Sequence, residues 1–164
     1  MTARLKSLVR SFLSRVTGKV PPSSRIHILG THVPEGLSTG WQEPIVAQRQ
    51  EAAFAQVLRD MNRGRVREDF AALAAAVQAT GLSDPLLIEV GSGSGWNHGV
   101  LEFLLKRKVR YIGLDYSLAM VALGKGKRAE DSFVAGDATT LPFAGESCDV
   151  LVLGTVLMHV LGYV

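Results

Sequence analysis

The spacing of hydrophobic residues divides the chain into two parts. Before Pro85 the apolar residues recur every three or four positions, which is typical of amphipathic helices. From Pro85 onward, short β-rich runs alternate with helix-like stretches that follow Trp96 and Ser117. The runs are LLIEV (86–90), VRYIGL (109–114), SFVA (132–135) and DVLVLG (149–154). Such alternation predicts an α/β fold in which crossover helices join parallel strands.

Two helices are predicted before the first strand. The first begins at Pro44, which suits the first turn of a helix, and ends near Gly64. The second is followed by Gly81, a residue typical of a helix C-terminal cap. The expected apolar faces are Phe54, Val57, Leu58 and Met61 in the first helix, and Phe70, Leu73 and Val77 in the second. We interpret residues 36–82 as a helical cap that packs on a half-domain formed by residues 83–164.

Residues 1–35 are a basic amphipathic arm and linker. No Asp or Glu precedes Glu35, and apolar residues recur at helical spacing until the Pro-Pro pair at 21–22. The basic residues are Arg4, Lys6, Arg10, Arg15, Lys19 and Arg25. Three interpretations stay open: a helix that docks on its own domain or on a partner, a peripheral membrane contact through residues 1–20, and a mitochondrial transit peptide.

Composition narrows the function classes. Of the 164 residues 47% are hydrophobic, and the net charge is +3. Beyond the arm the charges roughly balance, so no broad surface for nucleic acid is expected. No apolar run reaches the roughly 20 residues of a membrane span, and no secretory signal is recognisable.

The lone Cys148 is expected to be a buried core thiol in a reducing compartment, and we therefore expect a cytoplasmic protein.

The turn after the first strand, LLIEVGSGSGW (86–96), carries three glycines at alternate positions. A dinucleotide-binding loop needs glycine at its first, third and sixth positions. Counting from Gly91 the sixth residue is Trp96, and counting from Gly93 it is His98. Glu89 would also face an incoming pyrophosphate unfavourably. The pattern favours a ligand with positive charge and makes a nicotinamide-dependent oxidoreductase the weaker alternative.

This turn resembles the first motif of the class I S-adenosylmethionine-dependent methyltransferases, in which an acid precedes three alternating glycines. The matching residues are Glu89, Gly91, Ser92, Gly93 and Gly95. Asp115, at the end of the second predicted strand, matches the acid that holds the ribose hydroxyls in that family. Asp137 and Ala138 match the element whose carboxylate accepts a hydrogen bond from the adenine amino group and whose next backbone N–H addresses the ring. The order of these motifs carries the resemblance.

The resemblance implies a Rossmann-like parallel sheet with flanking helices, S-adenosylmethionine as the cofactor, and no metal. A carboxylate suits the ribose because its two oxygens can serve two hydroxyls. Tyr116 is expected to line the adenosine pocket, and Trp96 either to stack on the cofactor or to pack against the first helix. His159, just after the fourth predicted strand, is a candidate for a catalytic residue that touches the substrate, and a structural histidine is the alternative.

A small-molecule or lipid-like methyl acceptor is expected. Enzymes of this kind that methylate amino groups in DNA, and many of those acting on RNA, carry Asn or Asp, two prolines and an aromatic after the fourth strand. This chain has Gly-Thr-Val-Leu at 154–157, so nucleic acid is disfavoured as the acceptor. A basic amphipathic arm would suit a membrane-borne substrate.

The family's domains usually have seven strands, whereas four are predicted here. We therefore expect a fragment or a truncated gene product, incomplete at its C-terminus, whose fourth strand leaves a hydrophobic sheet edge open to pairing with another chain. A noncatalytic binding or scaffold protein that retains the cofactor pocket and is completed by another chain is the alternative function.

Overall fold

A computed structural model describes residues 40–154 and residue 156. The helices and strands are a 3-10 turn at Gly40–Gln42, α1 at Pro44–Asn62, α2 at Glu68–Ala79, β1 at Leu86–Val90, α3 at Trp96–Leu105, β2 at Arg110–Asp115, α4 at Leu118–Lys127, β3 at Ser132–Ala135 and β4 at Val150–Leu153. The predicted α/β fold with a helical segment before the sheet is confirmed. The predicted helix in the arm (1–20) and His159 lie outside the described residues.

The four strands form one parallel sheet in the order β3-β2-β1-β4. Ile88 of β1 pairs with Ile112 on one side and with Leu151 on the other. Asp149 fixes the start of β4 against β1, because its backbone N–H donates to the Leu86 carbonyl at 3.0 Å and its carboxylate accepts from the Leu86 N–H at 2.7 Å. The strand order reverses between β1 and β4, and a ligand cleft in such a sheet lies where the order reverses.

The main core lies between one face of the sheet and the helices α2 and α3. It joins Leu87 of β1 to Val77 of α2 and Leu101 of α3, all fully buried, together with Tyr111 and Phe133 from the neighbouring strands. Fully burying one such aliphatic side chain stabilises the fold by about 1.5–3 kcal/mol. Helix α2 is therefore part of the core that supports the sheet.

A smaller cluster attaches α1 to α2 and α3. Met61 of α1 meets Phe70 and Val100, with Phe54 and Val57 packed at its margin. Leu58, expected on the same apolar face, is 38% exposed, and that part of the prediction is wrong. Because α1 lies on the surface, only a narrow stripe of the helix is buried. Phe54, Val57 and Met61 lie in that stripe, and Leu58 lies at the solvent boundary.

Glycines in the left-handed region follow both N-terminal helices, as predicted. Gly64 has φ +80°, Gly81 has φ +69°, and the Gly81 N–H donates to the Gln78 carbonyl at 3.0 Å. A side chain would strain the backbone there, which is why glycine ends these helices. Among the described residues, no helix combines the length and the hydropathy needed to cross a membrane.

The position of Cys148 differs from the prediction of a core thiol. Cys148 is half-buried and precedes β4 in the connection that follows β3. The hydrophobic run that made it look buried begins at Val150, so the cysteine lies outside the strand whose alternation fills the core.

Candidate functional site

A cavity of about 290 Å³ opens at the carboxyl edge of the sheet. Ligand pockets usually measure roughly 300–1,000 Å³, so this cavity lies at the lower end of that range. The loops after β1, β2 and β3 and the end of β4 form one wall, and the first turns of α1 form the other. The lining residues are Trp41, Val46, Ala47, Gln50, Gly91, Gly93, Trp96, Leu114, Asp115, Tyr116, Ser117, Met120, Gly136, Asp137, Ala138, Thr139, Gly154 and Val156.

The glycine loop is held against the end of β2. The backbone N–H groups of Gly91 and Ser92 both donate to the Leu114 carbonyl, at 2.8 and 3.0 Å. Gly91 and Gly93 line the cavity with φ +72° and +55°, a region that residues with a side chain rarely adopt. A Cβ on Gly91 would lie 2.7 Å from the Val156 side chain. The backbone is therefore exposed to the cavity where a side chain would obstruct it.

Ser92 and Gly95, the other two loop residues expected at the cofactor, lie outside the lining of the cavity. Ser92 is buried, and its hydroxyl donates to the Gly93 carbonyl at 3.3 Å. Gly95 is the residue before α3, with φ +82°, and a Cβ there would lie 2.9 Å from the Phe133 ring. Both residues contact the protein side of the loop, away from the cavity. Their direct contact with a cofactor stays a prediction.

Asp115 is oriented by two backbone N–H groups. Its Oδ2 accepts from Gly93 at 2.7 Å and its Oδ1 accepts from Ser117 at 2.8 Å. Burial raises the pKa of Asp115, the bonds from Ser117 and Gly93 lower it, and the net direction is upward. Each oxygen keeps a second lone pair, so a carboxylate fixed in this way can still accept two hydroxyl donors.

Tyr116 and Gln42 connect the loop after β2 to the N-terminal segment. The Gln42 side-chain amide donates to the Tyr116 carbonyl at 2.6 Å, and its oxygen accepts from the Leu118 N–H at 3.3 Å. The Tyr116 side chain lines the cavity while remaining 42% exposed. Gln42 thus fixes the 3-10 turn beside the acid that ends β2.

Asp137 and Ala138 follow β3 on the same side of the cavity. The Asp137 Oδ1 accepts from the Thr139 backbone N–H at 2.7 Å, and this bond holds the pKa of Asp137 below its usual value. Both residues line the cavity together with Asp115. The structure therefore brings together two of the three acids that the sequence places at one site.

Glu89, the third acid, points into the core. It is 1% exposed and accepts hydrogen bonds from Asn97 Nδ2 and from the Tyr111 hydroxyl, each at 2.6 Å. Desolvation by this burial raises the pKa of Glu89 to about 7, the Tyr111 and Asn97 bonds lower it, and the neighbouring Asp115 charge raises it. Alternate strand residues face opposite sides, so Glu89 shares the core face of Leu87. The three acids do not converge on the cavity, and contact of Glu89 with the cofactor stays a prediction.

Part of the cavity wall comes from residues that the sequence did not single out. Trp41, Val46, Ala47 and Gln50 approach the glycine loop from the N-terminal segment. Their hydrophobic spacing marks a helix but carries no signal for this contact, because the contact joins segments about forty residues apart. Trp96 lies between the two walls.

Trp96 packs against the first helix, which is one of the two positions predicted for it. Its ring stacks on Phe54 of α1 with the ring centroids 4.8 Å apart and the planes at 12°. Its indole N–H donates to Glu51 of the same helix at 2.6 Å. The ring thus packs against the first helix, and it also lines the cavity.

Comparisons with known proteins agree with this geometry. Residues 88–163 match the family model described as a methyltransferase domain. A demethylmenaquinone methyltransferase of Thermobifida fusca is 33% identical over 107 residues, which cover 62% of this chain and 43% of that protein. One from Renibacterium salmoninarum is 45% identical over 49 residues, which cover 30% of this chain and 21% of that protein. The chain thus spans less than half the length of these curated relatives.

The fold also matches a solved structure. The TehB-like S-adenosylmethionine-dependent methyltransferase of Corynebacterium glutamicum superposes with a TM-score of 0.51 at 19% identity, over 71% of this chain and 58% of that one. At this identity the likeness shows the fold alone, and the family model adds the sequence match from β1 onward. From residue 88 onward the chain thus matches a methyltransferase domain, on a sheet with the fold of S-adenosylmethionine-dependent methyltransferases.

Proposed function

We propose that this protein transfers the methyl group of S-adenosylmethionine to a small-molecule acceptor. The observation that carries the proposal is one cavity shared by three successive strand ends. Gly91 and Gly93 come from the end of β1, Asp115 from β2 and Asp137 from β3. Ligands of open parallel sheets bind at this edge, beyond the carboxyl ends of the strands.

The residues present fit an adenosyl group. Asp115 would hold the ribose hydroxyls, since its orientation is fixed by Gly93 and Ser117 and its oxygens keep free lone pairs. Asp137 would accept from the adenine amino group, beside the N–H of Ala138. The exposed backbone of the glycine loop supports the proposal, because a ligand can approach it without meeting a side chain.

Methyl transfer depends mainly on how the acceptor is positioned relative to the methyl group. When bound, the cofactor supplies a methyl group on a positively charged sulfur, and this group needs no metal to react. The residues of this chain would orient the acceptor in line with the methyl group and exclude water. In the described part of the cavity wall the ionisable side chains are Asp115, Tyr116 and Asp137. His159 stays the candidate for a base.

We propose an apolar, quinone-type acceptor. The two relatives compared above are named demethylmenaquinone methyltransferases. The wall that faces the glycine loop is largely apolar, with Trp41, Val46 and Ala47 contributed by the N-terminal segment and Gln50 as its polar member. Such a wall suits an aromatic or lipid-like compound that is fixed by a few polar groups.

Calorimetric titration tests the cofactor site. We expect the protein to bind S-adenosylmethionine and its demethylated product. Asp115→Asn should weaken binding by tenfold or more, because an amide nitrogen would face the Gly93 or Ser117 N–H, and a hydrogen bond to a charged group contributes about 1.5–3 kcal/mol. Asp84→Asn, at an exposed acid that precedes β1 and lies outside the cavity lining, is the matched control. No binding by the wild-type protein would refute the proposal.

Transfer of a labelled methyl group from S-adenosylmethionine to demethylmenaquinone tests the acceptor class. Product formation by the wild-type protein and its loss in Asp115→Asn support the proposal. Cofactor binding without transfer to a quinone, together with transfer to an acceptor of another chemical class, would contradict the acceptor while leaving the cofactor site intact.

A further inference from the structure

The carboxylate of Glu51 in α1 accepts hydrogen bonds from three side chains next to the glycine loop. Glu51 Oε1 accepts from the Trp96 indole N–H at 2.6 Å and from the Ser94 hydroxyl, and Oε2 accepts from Lys127 Nζ at 2.7 Å. Lys127 Nζ also donates to the Ser94 hydroxyl at 3.2 Å. Three elements, α1, the start of α3 and the end of α4, thus meet at a single side chain.

Two of these partners, Ser94 and Trp96, lie next to the glycines that line the cavity. Ser94 is 1% exposed, directly follows Gly93, and precedes the left-handed Gly95 at the start of α3. A Cβ on Gly93 would lie 3.4 Å from the Trp96 ring, so the ring supports the loop from one side. Moving the Trp96 ring would therefore change the space available to Gly93, whose N–H orients Asp115.

Glu51 lies in α1 ahead of the apolar residues that attach the helix to α2 and α3. The apolar attachment of α1 is made by Phe54, Val57 and Met61, one to three turns further along the helix. Glu51 follows the cavity-lining Gln50 directly. Burial raises the pKa of Glu51, the bonds from Lys127, Ser94 and Trp96 lower it, and the net direction is below its usual value, so the side chain is ionised at neutral pH.

We propose that Glu51 is a positioning residue for the cofactor site: it fixes Trp96 and Ser94, and through them the glycine loop, in the conformation that binds the adenosyl group. The inference rests on the proposed function, because it concerns the affinity of the same site. Glu51 acts through the loop and is not a catalytic residue.

The experiment measures the affinity for the demethylated cofactor by calorimetry on the folded protein. Glu51→Ala should weaken binding about tenfold, the loss expected when a charged hydrogen-bond acceptor is removed. Glu51→Gln keeps one oxygen for Trp96 and Ser94 and loses only the Lys127 ion pair, so the loss should be about two- to fivefold. Glu68→Gln, on the exposed start of α2, is the matched control and should bind as the wild type does.

A second variant keeps the proposal testable if Glu51→Ala does not fold. Trp96→Phe retains the ring that stacks on Phe54 and removes only the N–H donor, and it should also weaken binding. Where Glu51→Ala folds, its combination with Trp96→Phe should cost less than the sum of the two single losses, because both substitutions remove the hydrogen bond between Trp96 and Glu51. Two additive effects, or wild-type affinity in Glu51→Ala and Trp96→Phe, would overturn the positioning role. No binding by the wild type would instead refute the cofactor site itself.

Discussion

At the scale of single residues, two acids on neighbouring strands have opposite surroundings. Asp115 ends β2 with its carboxylate on the cavity, whereas Glu89 lies within β1 and points to the core. The Tyr111 hydroxyl and the Asn97 amide satisfy Glu89, so its burial leaves neither oxygen without a donor. Burial still disfavours the charged form of Glu89 and raises its pKa to about 7, so the group binds a proton near neutral pH.

Replacement of Glu89 by glutamine should remove a pH dependence of stability. The folded-state pKa of Glu89 is about 7, above the value of 4.5 expected on unfolding. Its contribution to stability is therefore full below pH 4.5 and is lost as the pH rises through 7. Between pH 5 and pH 8 the wild type should lose roughly 2 kcal/mol more than Glu89→Gln in urea unfolding. Equal losses in both proteins would contradict the raised pKa, and Glu68→Gln serves as the control.

Gly93 should not tolerate a side chain. A Cβ there would make ordinary contact with the Trp96 ring at 3.4 Å, so the cost comes from the φ of +55°. A non-glycine residue in this region costs about 1–2 kcal/mol, and a β-branched one more. We expect Gly93→Val to abolish cofactor binding in calorimetry and Gly93→Ala to weaken it. Gly145→Ala, where a Cβ would meet open space, is the control. Normal binding by a folded Gly93→Val protein would show that the loop is placed wrongly.

At the scale of elements, the packing of α4 on β3 depends on a ring held between two glycines. A Cβ on Gly124 of α4 would lie 2.5 Å from the Phe133 ring, and a Cβ on Gly95 would lie 2.9 Å from the same ring. Phe133 also packs edge-on against Tyr111, with the ring centroids 6.0 Å apart. The ring therefore cannot move away from one glycine without approaching another neighbour.

Two alanine substitutions in α4 should have opposite effects. Gly124→Ala should lower the free energy of unfolding by about 1–3 kcal/mol, the usual cost of overpacking a core. Gly126→Ala, two residues along the same helix and facing open space, should raise it by up to about 1 kcal/mol, because alanine favours the helix. Chemical denaturation of both variants provides the comparison. A neutral Gly124→Ala would mean that the Phe133 ring has more freedom than the structure gives it.

At the scale of the whole molecule, charge is divided along the chain. Six of its 18 basic residues precede Glu35, and all 15 acids lie at or after it. The chain from Glu35 onward therefore has 12 basic and 15 acidic residues, a net charge of −3 opposed to a basic arm. Such an arm can bind an anionic surface, either a membrane or the acidic remainder of the protein.

Vesicle sedimentation separates these two partners of the arm. We expect binding to vesicles of anionic phospholipid, little binding to neutral phosphatidylcholine, and weaker binding at high salt. Each basic residue near an anionic surface contributes about 1 kcal/mol, so Arg10→Glu combined with Arg15→Glu should reduce partitioning more than about tenfold. Lys106→Glu with Lys108→Glu, two exposed lysines next to the start of β2, is the matched control. Equal partitioning of wild type and the arm variant would rule out the membrane contact.

Local sequence determined much of the fold. The four β-rich runs fall on the four strands to within one residue at either end, and the helices follow Trp96 and Ser117 as expected. Strand alternation and glycine punctuation depend on neighbours a few positions apart, so they can be read from the chain itself. The same reasoning placed Asp115 and Asp137 at the strand ends where the cavity lies.

The tertiary structure alone decided which of these residues meet. Glu89 lies on the same face of β1 as Leu87, so it points into the core. The sequence motif had placed it at the cofactor together with Asp115 and Asp137. The contacts of Gln42 with Tyr116 and of Glu51 with Trp96 join segments that are 74 and 45 residues apart. Periodicity describes how one segment presents its faces and carries no information about which distant segment a face will meet. The places of the glycine loop, Asp115 and Asp137 were therefore predictable from the sequence, whereas the orientation of Glu89 and the opposite wall of the cavity were fixed only when the helices packed on the sheet.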